Sequence, residues 1–199
     1  YDQIGFGFHR YSTDARWVVP HFEKMLYDQA LMALAYIELY QATGKKEYEK
    51  TAREIFSYVL GDMTDARGGF YSAEDADSEG EEGKFYLWTE EEIRSLLSQE
   101  EADLCLSVYR HPDDLDLPGM REFPAGHFIL HRQPVSAEES RDVTEAEEAR
   151  LAAIGKKLLA AREKRVSPHK DDKILADWNG LMIAALARGA QVFDDPDYA

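Results

Sequence analysis

Cysteine, basic residues and long apolar runs are all scarce in this 199-residue chain. A single cysteine, Cys105, excludes an internal disulfide and any CxxC zinc or redox site. The 23 Lys and Arg residues are outnumbered by 39 Asp and Glu residues, which leaves a formal net charge of −16. Nucleic acids and anionic membranes attract concentrated cationic side chains, so we expect neither as a partner. The longest apolar run, residues 181–187, is far shorter than the ~20 residues that span a bilayer.

The two ends of the chain indicate a piece of a longer protein. The sequence starts at Tyr1 rather than at methionine, and it stops just after Pro196, where a new helix is predicted to begin. No basic segment followed by an apolar one opens the chain, so no export signal is visible and we expect a cytoplasmic protein. With 44% hydrophobic and 12% aromatic residues, the chain has enough apolar side chains for a packed core.

Two long helices are predicted near the N-terminus and a third near the C-terminus. The segment 20–43 begins with Pro20 and is apolar on most of its circumference, whereas 45–63 is apolar on one side only. Gly44 between them predicts an αα-hairpin of an inner and an outer helix. Residues 177–193 repeat the inner-helix pattern. We therefore expect both inner helices to be more buried than the outer one.

Glycine- and aromatic-rich segments lie between these helices, and each leads to a tryptophan. Trp17 and Trp88 follow these segments at similar offsets, which predicts that both fill the core. Short strands are predicted on either side of the acidic loop 77–83. Residues 110–133 are predicted to form a loop with one strand near its end. Cys105, between two leucines, is predicted to be a buried apolar residue.

The repetition of helical hairpins and glycine-aromatic segments is typical of stacked αα-hairpins. The predicted fold class is therefore all-α, with small β-hairpin insertions. Such hairpins form either a solenoid or a closed toroid, and closure needs more hairpins than 199 residues encode. A partial toroid would leave helix flanks uncovered, so we expect the chain to self-associate through its apolar surface.

Four ordered motifs make the chain resemble a known family. They are residues 7–14 (GFHRYSTD), 19–28 (VPHFEKMLYD), 72–78 (SAEDADS) and 171–181 (DDKILADWNGL). The chain resembles the spermatogenesis-associated, thioredoxin-domain-containing family over essentially its whole length. The resemblance implies a partial (α/α)6 toroid similar to N-acylglucosamine 2-epimerases and six-hairpin glycosidases. It also implies that residues 1–199 are roughly the first half of that toroid, without the family's N-terminal thioredoxin-like domain.

The polar residues of these motifs precede the inner helices or open them. In an αα-toroid the N-terminal ends of the inner helices face one mouth of the central cavity, so these side chains would converge there. Carboxylates and arginine bind sugar hydroxyls, and aromatic rings cover the apolar face of a sugar, so we predict a cavity for a small carbohydrate. The predicted substrate-binding residues are His9, Arg10, Tyr11, Asp14, Glu74, Asp77, Asp171, Asp177, Trp178 and Asn179.

Four residues are predicted to carry acid–base catalysis, namely Asp75, Asp172, His21 and Glu23. Glycosidic cleavage needs an acid and a base or nucleophile, which Asp75 or Asp77 would supply together with Asp171 or Asp172. His21, predicted in the first helical turn with Glu23, would carry a proton in an epimerase or isomerase, with His9 or His169 as a second base. For each residue the alternative is structural: a cap, a loop ion pair, a solvated carboxylate or a hydrogen-bonded histidine.

Two classes of function remain open from the sequence. The first is a glycosidase-like or sugar epimerase- or isomerase-like cavity domain. The second is a non-catalytic scaffold or partner-binding module attached to a thioredoxin-like domain. Polar groups that converge on one concave, aromatic-lined surface favour the enzyme, whereas dispersed or ion-paired groups favour the scaffold. The sequence has no HExxH motif and no cysteine cluster, so we predict neither a metal nor another cofactor.

Overall fold

Three helices form a layer whose central member packs against the other two. The computed structural model describes residues 1–110, 117–132 and 143–199. Within these ranges α1 (Leu26–Thr43) packs against both α2 (Lys46–Asp62) and α6 (Ala176–Phe193). Gly44 ends α1 with a left-handed backbone (φ 69°), which glycine adopts without strain. The predicted αα-hairpin and the predicted C-terminal helix are confirmed.

The remaining α-helices lie apart from this layer, and each strand of the described residues is only two residues long. Three helices form a second group, α3 (Glu90–Leu96), α4 (Gln99–Tyr109) and α5 (Glu145–Arg162). The strands of the described residues are β1 (Tyr11–Ser12), β2 (Pro20–His21), β3 (Lys24–Met25), β4 (Ala73–Glu74), β5 (Asp77–Ser78), β6 (Glu81–Glu82), β7 (Trp88–Thr89), β8 (His127–Phe128) and β9 (Lys170–Asp171). They pair antiparallel as β1–β2, β3–β4–β9, β5–β6 and β7–β8. The chain is thus mostly helical with small antiparallel sheets.

The first inner helix begins at Leu26, not at Pro20 as predicted. Residues 20–25 are extended instead, since β2 pairs with β1 and β3 pairs with β4. His21 and Glu23 therefore lie in extended backbone, not in a first helical turn. Helical spacing is a local signal and carries no information about strand partners that are distant in the chain.

The inner helices are not more buried than the outer helix, so this prediction is wrong for the described chain. Each of α1, α2 and α6 contributes five buried residues. Leu31 and Leu39 on α1 and Ile183 on α6 are exposed instead. The second apolar side of each inner helix faces solvent, so the three helices contribute equal numbers of buried residues.

A second core lies beneath α3, α4 and α5. Trp88 is fully buried in it, as predicted, and so is Cys105, whose thiol pKa burial raises to about 12. Trp17 is not a core residue, because it lies beyond the β1–β2 strands and is 81% exposed. Of the predicted loop 110–133, residues 111–116 and 133 lie outside the described ranges. Among the described helices, none has the length and apolarity that crossing a membrane requires.

Self-association stays a prediction, and the exposed apolar side chains of α1 and α6 provide its test. Contiguous apolar surface favours association because its burial removes it from water. Light scattering at tens of micromolar should detect dimers or larger species, and Leu31→Glu together with Ile183→Glu should shift the chain toward monomer. A wild-type chain that is strictly monomeric under these conditions would contradict the prediction.

Two glycines of α6 predict opposite effects of the same substitution. A Cβ on Gly189 would lie 2.5 Å from Cε2 of the fully buried Phe56, so Gly189→Ala should lower the free energy of unfolding by about 1–3 kcal/mol through overpacking. A Cβ on Gly180 meets no atom of the described residues within 4 Å. Gly180→Ala should therefore raise the free energy of unfolding by up to about 1 kcal/mol through helix propensity. Urea denaturation of both variants measures these free energies. Equal changes in the two variants would contradict the close packing of Gly189 against Phe56.

Candidate functional site

One sheet joins three of the four motifs at the N-terminal ends of α1 and α6. β3 runs directly into α1, and β4 pairs with β3 on one side and with β9, which precedes α6, on the other. In this register Lys24, Glu74 and Lys170 lie opposite one another in a row across the sheet. The fourth motif joins through the β1–β2 pairing and through the Arg10 N–H, which donates to the Glu23 carbonyl (2.8 Å). The motifs therefore meet at one end of the helical layer.

The carboxylate of Asp2 is buried between two cations. Its Oδ2 accepts hydrogen bonds from Nη2 of Arg162 (2.7 Å) and from Nζ of Lys24 (2.9 Å). Its Oδ1 accepts from Nη1 of Arg162 (2.9 Å), and the backbone N–H groups of Ile4 and Gly5 complete the set. Burial by itself would raise the pKa of Asp2, but Arg162 and Lys24 hold that pKa well below its usual value.

Glu74 continues this chain of alternating charges across the sheet. Its carboxylate accepts hydrogen bonds from the Tyr86 hydroxyl and from Nζ of Lys170. Burial opposes ionisation, yet Lys24 and Lys170 lower the pKa of Glu74. Nζ of Lys24 also lies 4.3 Å from the ring centroid of Tyr58. We call Arg162, Asp2, Lys24, Glu74 and Lys170 the charge chain.

A cavity of about 270 Å³ lies against the charge chain. Asp2 and Arg162 line it and are themselves buried, so they form its floor. Tyr11 and Trp17 also line it and are exposed, so they form its mouth. Its walls combine aromatic and polar side chains, including Phe8, His9, Arg10, Phe22, Asp28 and Trp88.

Asp28 is the cavity carboxyl that is most easily kept protonated. It lies in the first turn of α1, and its Oδ2 is buried and accepts no hydrogen bond from the described residues. Burial raises the pKa of Asp28, and the charge of Glu23 adds to this while Arg10 opposes it. A carboxyl with a raised pKa is suited to donate a proton or a hydrogen bond to a bound ligand.

His9 lies in the cavity wall, where its surroundings favour the neutral imidazole. Its Nδ1 lies 2.9 Å from the carbonyl oxygen of Phe22, and its ring packs edge-on against the rings of Phe22 and Tyr86. Burial and the nearby charge of Lys24 lower the pKa of His9 well below its usual value. Protonation of this ring therefore carries an electrostatic cost at neutral pH.

Trp17 is held at the cavity mouth in a backbone conformation that bulky residues rarely adopt. Its φ is 61°, in the left-handed region. Asp14 fixes this loop, because its carboxylate accepts hydrogen bonds from the backbone N–H groups of Arg16 (2.7 Å), Val18 (3.0 Å) and Val19 (2.6 Å). Although burial opposes it, these bonds lower the pKa of Asp14. A strained, exposed tryptophan at a cavity mouth is typical of a functional position.

Arg10, His21 and Glu23 form a row of polar side-chain contacts beside the cavity. Nη1 of Arg10 lies 2.8 Å from Glu23, whose Oε2 lies 3.5 Å from Nε2 of His21. Nδ1 of His21 lies 2.7 Å from Oε1 of Glu82 on the β5–β6 hairpin, and the Tyr11 ring stacks on the imidazole. Of these residues, Arg10 and Tyr11 line the cavity, whereas His21 and Glu23 do not.

The structure does not bring Asp75 and Asp172 together. Asp75 follows the C-terminal end of β4, and Asp172 follows the C-terminal end of β9. Because β4 and β9 are antiparallel, the two carboxylates leave opposite ends of the strand pair. Both are exposed, and neither lines the cavity.

Two residues of the last motif attach α6 to its surroundings, and a third lies at the surface. Asn179 is buried, and its side-chain amide exchanges two hydrogen bonds with the backbone of Phe70 (2.7 and 3.0 Å). The ring of Trp178 packs against Tyr27, with centroids 4.8 Å apart. Asp177 lies in the first turn of α6 and is exposed. All three lie away from the cavity.

The two remaining predicted carboxylates lie at the surface. Nζ of Lys173 donates to both carboxylate oxygens of Asp171 (2.7 and 2.9 Å), and this contact lowers the pKa of Asp171. Asp77 is exposed in the β5–β6 hairpin. A larger groove of about 990 Å³ adjoins this hairpin and mixes acidic side chains with Lys164 and Arg165. Among the described residues, no three His, Cys, Asp or Glu side chains lie close enough to hold a metal ion.

Sequence reasoning missed Asp2, Lys24, Asp28 and Arg162 as site residues. Lys24 stands beside Met25 and near Phe22, both of which are buried. A charged residue among core residues is a usable signal, because burial requires it to have a partner of opposite charge. The identity of that partner, in contrast, follows only from the fold.

The chain is similar to curated proteins named spermatogenesis-associated protein 20. It is 38% identical to the Homo sapiens protein over 209 residues, which cover 94% of this chain and 26% of that relative. The Mus musculus protein is 38% identical over 207 residues (94% and 26%), and the Rattus norvegicus protein is 37% identical over 212 residues (96% and 27%). The chain therefore spans about a quarter of the length of these relatives. No family model matches it.

Removing the buried anion of the charge chain should destabilise the fold strongly. Asp2→Asn leaves Arg162 and Lys24 buried without their shared carboxylate, so the free energy of unfolding at neutral pH should fall by about 3–5 kcal/mol. The depressed pKa of Asp2 means that its stabilising effect is complete above its unfolded-state pKa of about 3.9 and is lost as the pH falls below that value. The difference between wild type and variant should therefore shrink below about pH 4.

Asp103→Asn is the matched control, because Asp103 pairs with Arg94 at 2.8 Å on an exposed surface. Water screens that pair, so the control should change stability little at any pH. Urea denaturation of the three proteins at several pH values makes the comparison. An Asp2→Asn variant as stable as the control would show that the charge chain is not a stabilising element.

Proposed function

We propose that this chain forms a carbohydrate-binding cavity that takes a monosaccharide or one unit of a longer sugar. The proposal rests on the cavity of about 270 Å³ beside the charge chain. Small-molecule sites are concave, largely apolar and equipped with a few fixed polar groups. The volume is near the lower end of the ~300–1,000 Å³ usual for such sites, which favours a small ligand.

The chemistry of the cavity wall supports a polyhydroxylated ligand. Tyr11 and Trp17 at the mouth offer aromatic faces to the C–H surface of a sugar ring. Arg10 supplies hydrogen-bond donors, and His9 and Asp28 supply further polar groups along the wall. Two charged residues of the floor, Asp2 and Arg162, are already paired with each other, so a neutral ligand meets no unbalanced charge there.

Asp28 is the group that we propose for acid catalysis, if the bound sugar is also turned over. Its raised pKa allows it to protonate a leaving oxygen or a carbonyl. The proposed acid is therefore Asp28, which lines the cavity, in place of Asp75 and Asp172, which do not line it. The glycosidase-like and epimerase- or isomerase-like reactions both remain proposals.

A specific observation favours the second class of function, a non-catalytic partner-binding module. His21, Glu23, Glu74 and Asp171 are all engaged in ion pairs or hydrogen bonds, which is the pattern expected of a scaffold. Asp75 is dispersed at the surface. In that case the cavity would bind a ligand without transforming it, or would remain unused.

The larger architecture also belongs to this proposal. We infer a partial (α/α)6 toroid from the α1–α2 hairpin, the repeated inner-helix pattern of α6 and the resemblance of the four motifs. The rest of the toroid and a thioredoxin-like domain would then lie in the part of the full-length protein that the chain does not include. The activity and partners of that whole protein are likewise proposals.

Trp17 gives the sharpest test of carbohydrate binding. Calorimetric titration with glucose, mannose, N-acetylglucosamine and maltose should give saturable binding of at least one of them. An aromatic contact is worth about 0.5–1.5 kcal/mol, so Trp17→Ala should weaken that binding about 2- to 12-fold. Ile183→Ala is the control, because Ile183 is also exposed but lies on α6 away from the cavity. No saturable binding by the wild type, or equal loss in both variants, would refute the proposal.

A further inference from the structure

The imidazole of His9 has only one tautomer that satisfies its contacts. Its Nδ1 lies 2.9 Å from the carbonyl oxygen of Phe22. A carbonyl oxygen only accepts hydrogen bonds, so Nδ1 must carry the proton and donate it. In a neutral ring Nε2 then has no hydrogen and presents a lone pair. No hydrogen bond from the described residues reaches Nε2.

The backbone on both sides of His9 is fixed. The buried Gln29 side chain accepts a hydrogen bond from the N–H of Phe8 (2.8 Å) and donates one to its carbonyl (2.8 Å). On the other side the N–H of Arg10 donates to the carbonyl of Glu23 (2.8 Å). The imidazole itself packs edge-on against the rings of Phe22 and Tyr86, whose centroids lie 5.3 and 4.9 Å away. The lone pair of Nε2 therefore has a set position and direction.

The surroundings of the ring favour an unprotonated second nitrogen. Burial and the charge of Lys24 lower the pKa of His9, and the charge of Asp2 opposes them. Lys24 stays in place because it is bound to Asp2 and to the carbonyl of Phe6 (2.9 and 2.8 Å). A ring that resists protonation is a poor proton carrier and a dependable hydrogen-bond acceptor.

We propose that Nε2 of His9 is the specificity-determining acceptor of the cavity, which selects a ligand by one of its hydroxyl groups. This inference rests on the proposed carbohydrate binding and adds the atom that discriminates among sugars. An analogue that lacks the hydroxyl would leave a polar atom of the cavity without a partner, and such sites reject their deoxy analogues strongly. His9 binds and selects here, and the proton transfer of any reaction is left to Asp28.

Two substitutions separate this role from a structural one. In His9→Asn the amide nitrogen occupies the place of Nδ1, so it retains the bond to Phe22 and removes the acceptor. In His9→Gln the amide oxygen occupies the place of Nε2, so it retains the acceptor and removes the bond to Phe22. A selective acceptor predicts that His9→Asn weakens saccharide binding at least 10-fold, whereas His9→Gln weakens it less than 3-fold. A structural histidine predicts the opposite order.

The experiment uses the full-length protein, with thermal unfolding of both variants to confirm that they fold. Calorimetry with the saccharide that binds best, and with its monodeoxy analogues, should show at least 10-fold discrimination against one analogue by the wild type. His9→Asn should lose that discrimination. In parallel, long-range ¹H–¹⁵N NMR of the wild type should show the Nδ1–H tautomer of His9, unchanged from about pH 8 to about pH 6.

The outcomes distinguish the two proposals. If no saccharide binds the wild type, carbohydrate binding falls, and the selective role of His9 falls with it. If saccharides bind but His9→Asn binds and discriminates like wild type, only the inference about His9 is overturned. The same holds if the NMR spectra show an Nε2–H tautomer or a doubly protonated ring at neutral pH.

Discussion

The carboxylate of Asp2 is the contact on which the rest of the structure depends. It accepts hydrogen bonds from Arg162 at the end of α5 and from Lys24 at the entrance to α1, and so joins two helical groups that have separate apolar cores. Both cations are buried, and each would be costly without this anion. The same contact forms the floor of the cavity. Stability and the candidate site therefore depend on one ionic interaction.

The charge chain also sets the protonation states around the cavity. The charge of Lys24 favours an ionised Glu74 on one side and a neutral His9 on the other. Among the described residues no cation is bonded to Asp28 in this way, so burial raises its pKa, whereas Arg162 and Lys24 hold the pKa of Asp2 low. The pKa values of two carboxyls in one cavity are thus shifted in opposite directions by their environments. The floor of the cavity therefore holds the ion-paired carboxylate of Asp2, whereas its wall holds Asp28, whose pKa is raised.

The predicted site residues fall into groups that only the fold separates. His9, Arg10 and Tyr11 line the cavity, while Asp14 fixes the loop that holds Trp17 at its mouth. Glu74 and Asn179 form hydrogen bonds inside the fold, with Lys170 and with the backbone of Phe70 respectively. Residue type and motif membership predicted where polar side chains gather. Neither property predicted which of these side chains are already bonded to other protein groups, because such pairing depends on distances between separate motifs.

By itself the sequence determined the helical character of the chain, the hairpin turn at Gly44 and the long C-terminal helix, since apolar periodicity and glycine conformation are local properties. Tertiary structure decided the rest. The N-terminus of α1 moved to Leu26 because residues 20–25 pair with distant strands. Trp17 became exposed because its loop projects beyond those strands. Strand pairing and buried ion pairs join residues far apart in the chain, and neither has a local periodicity from which it can be read.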